Sequence, residues 1–107
     1  MYKNIDKETV LNLADLTDYQ DGQIVSKTLV QNEKISITLF AFDKGEEIST
    51  HESDGDALVT VLDGTGRFTV GANVFVLKKG DSIVMPRRLP HAVFAQERFK
   101  MQLTVSF

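Results

Sequence analysis

The stretch Ala57-Leu58-Val59-Thr60-Val61-Leu62-Asp63-Gly64-Thr65-Gly66-Arg67-Phe68-Thr69-Val70-Gly71-Ala72-Asn73-Val74-Phe75-Val76-Leu77 decides the fold. Its β-branched and aromatic residues favour a pleated, packed surface. Residues 57–62 read as a strongly apolar strand, and Asp63-Gly64-Thr65-Gly66 as a hairpin-type turn. The chain returns over Arg67–Val70, turns again at Gly71-Ala72-Asn73, and runs on through Val74–Leu77. That last run is apolar on both faces, as in a strand covered by a layer on each side.

The same rhythm continues outward. Lys34–Phe42 alternates, with Ile35, Ile37, Leu39 and Ala41 on one face. Ser36 and Thr38 lie on the other, which becomes apolar at Phe40 and Phe42. Period two predicts a strand. Downstream, Ser82–Met85, His91–Ala95 and Phe99–Val105 read as further strands, and Pro86 and Pro90 bracket a loop that cannot complete a ladder. Upstream, Thr9–Leu16 reads as a strand or a helical turn and Thr17–Gly22 as a loop. Many short strands without a helical period predict an all-β sandwich or barrel, and closure of the barrel would hide its edges. The expected organisation is one domain over 1–107. Residues 1–22 form an N-terminal strand or loop segment and 23–107 form the barrel.

Composition narrows the chemistry. A chain of 107 residues has room for one core. It has no cysteine, which excludes disulfides, cysteine-based metal sites and thiol nucleophiles. Twelve Lys and Arg against fifteen Asp and Glu leave a net charge of -3, so a nucleic-acid partner is not expected. No apolar run is long enough for a membrane-spanning helix. Met1–Glu8 lacks the apolar core of a secretory signal, so the cytoplasm is the expected compartment. Acid–base or metal chemistry near neutral pH falls mainly to the two histidines, His51 and His91. Alternation puts His91, Val93 and Ala95 on one inward face, and His51 and Ser53 on another if the chain is extended there.

Two glycine-framed motifs surround these histidines. Gly45-Glu46-Glu47-Ile48-Ser49-Thr50-His51-Glu52-Ser53-Asp54-Gly55-Asp56-Ala57, followed by Leu58–Asp63 and Gly64, resembles the first signature of the cupins, G-x5-H-x-H-x3,4-E-x6-G. Gly80-Asp81-Ser82-Ile83-Val84-Met85-Pro86-Arg87-Arg88-Leu89-Pro90-His91-Ala92-Val93-Phe94-Ala95 resembles the second, G-x5-P-x-G-x2-H-x3-N. The resemblance implies an antiparallel double-stranded β-helix, the jelly-roll barrel. It also implies a homodimer, often formed through N-terminal strands, which would give Val10, Leu11, Leu13 and Leu16 a place. Metal-binding cupins use two histidines and a glutamate from the first motif and one histidine from the second. By that alignment His51 and His91 are kept, while the other two ligand positions hold Ser53 and Ala57. The second motif's glycine and asparagine are Arg88 and Ala95. Manganese, iron, nickel or zinc held by His51 and His91 would therefore be bound weakly. Asp56 could contribute only if a bulge at Gly55 re-aimed it.

The barrel lining expected from these faces is His51, Ser53, Ala57, Val59, Val61, Ile83, Met85, His91, Val93, Leu103 and Val105. The small residues Ser53 and Ala57 read as a pocket widened for an organic ligand, or as the remnant of a metal site. His51 equally suits a plain hydrogen-bonded role at the barrel mouth. His91, which follows Pro90 and starts an inward apolar strand, suits a site role better than that of a buried histidine satisfied by a backbone carbonyl. Arg87 or Arg88 could clamp a carboxylate, although a solvated loop is the simpler reading. The acidic segment of Glu46, Glu47, Glu52, Asp54 and Asp56 reads as a solvated hairpin. Three functions follow: a small-molecule-binding barrel; a metal-dependent or acid–base enzyme of dioxygenase, isomerase or decarboxylase type using His51 and His91; and a non-catalytic interaction module. The first is the leading expectation.

Overall fold

The computed structural model describes residues 1–107. A short 3-10 turn, Leu13–Leu16, precedes eight antiparallel strands. These are β1 (Ile24–Gln31), β2 (Ile35–Phe42), β3 (Glu47–His51), β4 (Asp56–Val70), β5 (Asn73–Lys78), β6 (Ser82–Met85), β7 (His91–Phe94) and β8 (Phe99–Ser106). Two facing sheets share β4. Its first part pairs with β8 and β6, in a sheet completed by β2 and β1. Its second part pairs with β5 and β7, in a sheet completed by β3.

The hairpin expected at Asp63–Gly66 is not there. β4 runs unbroken for 15 residues and bends from one sheet into the other. Pairing with β8 steps from Val61 to Asp63, leaving Leu62 as the extra residue of a bulge. Gly64 then takes a φ of +72°. A Cβ there would strike the Arg98 carbonyl, so glycine serves a corner and a close approach of two backbones, not a reversal.

The strand Val74–Leu77 is also not sandwiched. β5 pairs only with β4, and Val74, Phe75 and Val76 are exposed while Leu77 alone is buried. An apolar sequence does not distinguish a covered strand from a hydrophobic edge.

Between the sheets, Phe42 stacks on Phe99 at 4.5 Å and Phe68 meets Phe99 edge-on at 5.9 Å. These rings, all fully buried, fill one end of the barrel. The regular apolar face of β2 points the other way. Ile37 and Leu39 join Leu29 and Val30 in a second cluster on the outside of the sheet, covered by Ile5, Leu13, Leu16 and Leu62. The ambiguous Thr9–Leu16 is therefore a 3-10 turn, capped by the Asn12 side chain accepting from the Ala14 N–H. Residues 1–22 lie across their own barrel. The Lys3 N–H donates to the Leu29 carbonyl at 2.8 Å, and the Lys100 ammonium to the Ala14 carbonyl at 2.6 Å. Leu13 and Leu16 thus find cover within one chain, while Val10 stays exposed. No helix is long and apolar enough to cross a membrane.

Candidate functional site

β3 and β7 are neighbours, and their register sets His51 directly opposite His91. This ladder brings together two residues forty positions apart. Their rings meet edge-to-face at 4.2 Å between centroids. Each ring is held through Nδ1: His51 by the Ser49 carbonyl at 2.9 Å, His91 by the Leu89 carbonyl at 3.1 Å. A carbonyl can only accept, so each Nδ1 carries its proton, and in the neutral ring Nε2 is an acceptor. His91 is 3% exposed and His51 stands at the open side. Burial lowers the pKa of His91, the Leu89 carbonyl works against that, and His51 adds to the lowering. His91 is thus a neutral imidazole at neutral pH.

The pair opens into a cavity of about 250 Å³ at the end of the barrel away from the phenylalanines. Of the residues expected to line it, His51, Ser53, Ala57, Met85, His91, Val93, Leu103 and Val105 do so. Val59, Val61 and Ile83 do not. Val59 and Val61 share the inward face but are buried deeper in the core, and Ile83 borders a shallow groove beside β5. Alternation assigns a face, not a depth.

Ile48, Glu52 and Met101 also line the cavity and were not anticipated. Strict alternation sets Ile48 and His51 on opposite faces, but the β3–β7 pairing slips between them, so both reach the same space. Met101 carried a usable signal, since it shares its parity with Leu103 and Val105.

The donor set does not fit a divalent metal of the kind the cupin motifs imply. Ser53 and Ala57 stand at two ligand positions, and although Glu52 lines the cavity, it does not complete a group of three His, Cys, Asp or Glu side chains placed to hold an ion. A tight site of this kind needs at least three protein ligands. Asp56 is engaged elsewhere, its carboxylate accepting the Arg87 N–H at 2.8 Å. Gly55 does not re-aim it. That glycine is pressed against the Ser106 backbone, where a Cβ has no room.

Arg87 and Arg88 are exposed, and neither takes part in an ion pair. Arg88 adopts a φ of 61°, at the position where the motif has glycine.

With this architecture in place, comparisons with known proteins fix the class. The cupin domain model matches residues 38–107, and the chain belongs to that family. No curated protein matches it. It is similar to the crystal structure of a conserved protein of unknown function from Streptococcus pyogenes, at 41% identity and a TM-score of 0.96, covering 98% of this chain and 92% of that one. It is similar to a cupin superfamily protein from Desulfitobacterium hafniense, at 32% identity and a TM-score of 0.95, covering 100% and 98%. A cupin 2 conserved barrel domain protein from Leptotrichia buccalis is 48% identical with a TM-score of 0.89, over 91% of this chain and 47% of that one.

Proposed function

We propose that this cupin binds a compact, mainly apolar organic molecule in its barrel. The observation that carries the reading is the cavity of about 250 Å³, walled by aliphatic and thioether side chains with two imidazoles at one side. Binding would come from apolar burial, with the histidines orienting the ligand. At roughly 30 Å³ per water, the space equals about eight waters, so the ligand is small. A second reading, acid–base catalysis, draws support from the neutral His91 ring beside His51. Exchange of a bound ligand's carbon-bound proton with D2O would separate the two.

The test is a fragment screen by NMR on uniformly ¹⁵N-labelled protein. Binding in the barrel shifts the amide signals of Val93, Leu103 and Val105. A screen that moves none of them, or moves only signals of β5, overturns the reading.

A further inference from the structure

We infer that the cavity selects molecules that carry a hydroxyl group, such as phenols and alcohols, over isosteres that can only accept a hydrogen bond. The inference rests on the proposed binding role and names its ligand class.

Both imidazoles are anchored in the same sense. Their Nδ1 atoms donate to the Ser49 and Leu89 carbonyls, leaving the Nε2 of each neutral ring as an acceptor, on rings whose centroids lie 4.2 Å apart. The His91 side chain is almost wholly buried, yet its Nε2 has no partner within the protein. No sealed side-chain nitrogen or oxygen lacks a partner, so that atom opens into the cavity. An acceptor in an apolar enclosure costs free energy until a donor reaches it.

The remaining walls bring few donors. Ile48, Ala57, Val93 and the two methionines offer none from their side chains, and Glu52 at the rim is a carboxylate. Ser53 is the exception. Its Oγ accepts from the Gly55 N–H at 3.3 Å, and its own proton remains free. A hydroxyl ligand answers both needs, donating to an imidazole and accepting from Ser53. An ether of the same shape leaves the Nε2 unpaired. A carboxylate ligand meets two lone pairs and Glu52, with no Lys or Arg in the lining.

The matched probes are p-cresol, 4-methylanisole and 4-methylbenzoate, titrated by NMR at pH 7.5 against the intact protein and against His91→Leu. Unfolding curves confirm that the variant is folded. The expected result is that p-cresol binds about tenfold more tightly than 4-methylanisole, the scale of one enclosed hydrogen bond. The benzoate is weaker still, and the p-cresol advantage falls below about twofold in His91→Leu. Equal binding of cresol and anisole, or preference for the benzoate, overturns the inference while leaving a ligand-binding barrel standing. Absence of binding by all three removes both. Imidazole ¹⁵N spectra give a check that needs no variant: a proton on Nε2 of either histidine also overturns it.

Discussion

The Tyr19 hydroxyl donates to the Asp63 carboxylate at 2.5 Å, joining the end of the N-terminal segment to the bulged corner of β4. Two cations approach the ring, the Lys100 ammonium at 4.9 Å and the Arg98 guanidinium at 5.4 Å from its centre. Burial, then the bond to Asp63, raises the Tyr19 pKa above the ordinary phenol range. Tyr19→Phe keeps the ring and removes the bond. Because Asp63 is exposed, the expected cost is about 1 kcal/mol, toward the lower end for a hydrogen bond to a charge. Urea unfolding measures it, and an unchanged midpoint would show that the segment is held by apolar contact alone. A raised folded pKa gives stability that is complete below pH 10 and declines above it, so the wild-type protein loses more than Tyr19→Phe on going to alkaline pH.

His91 sets the acid side. Its pKa is lowered in the folded protein, chiefly by burial, from an ordinary value of 6.5. As pH falls through 6.5 the unfolded chain takes up the proton first. The stability this group confers is full above 6.5 and is lost as pH falls toward the folded pKa. Asp43, held low by the Gly22 N–H and then by Arg98, adds its own loss only below the ordinary carboxylate value of 3.8. Urea midpoints measured between pH 8 and pH 5 are expected to fall on acidification, and to fall less in His91→Leu. Parallel profiles for the two proteins would refute the assignment.

Two backbone positions make opposite predictions. Gly64→Ala sets a Cβ against the Arg98 carbonyl at a left-handed φ, and is expected to cost at least about 3 kcal/mol. Arg88 takes a left-handed φ with an exposed side chain that makes no ion pair. Arg88→Gly relieves that strain and is expected to stabilise the protein by about 0.5–1 kcal/mol. Thermal unfolding of both variants checks the signs, and a destabilised Arg88→Gly would mean that the guanidinium holds the loop.

These positions also show what sequence patterns could and could not carry. The alternation in Phe99–Val105 points to a strand because period two is a local quantity. A shared site for His51 and His91, forty positions apart, follows only from the resemblance of the two glycine-framed motifs to the cupin signatures. Gly64 was misread because a glycine between two apolar runs suits a turn and a sheet-to-sheet corner alike. What separates them is the Arg98 carbonyl, 34 positions further along the chain. The apolar run of β5 likewise does not reveal that it lies at an edge. Ile48 was hidden by a register slip that only the pairing with β7 produces. In each case the deciding fact is tertiary.

The last prediction turns on Ser53 and Ala57. Both line the cavity at positions where metal-binding cupins carry a histidine and a glutamate, and Ala57 lies opposite Met85 with its side chain buried. Two imidazoles with no carboxylate placed to share an ion with them hold a divalent ion poorly, because neither charge nor ligand number repays its dehydration. Protein purified without a histidine tag is therefore expected to carry far less than one manganese, iron, nickel or zinc per chain by mass spectrometry. The double variant Ser53→His, Ala57→Glu supplies the two absent ligands, and the cavity has volume for both side chains. It is expected to bind close to one ion per chain, and to lose it again when His91 is replaced by alanine. One metal per wild-type chain, lost on replacing His51 and His91, would show that the two imidazoles suffice and would restore the metalloenzyme reading. Failure of the folded double variant to bind any metal would show that the ring orientations, and not the ligand count, exclude it.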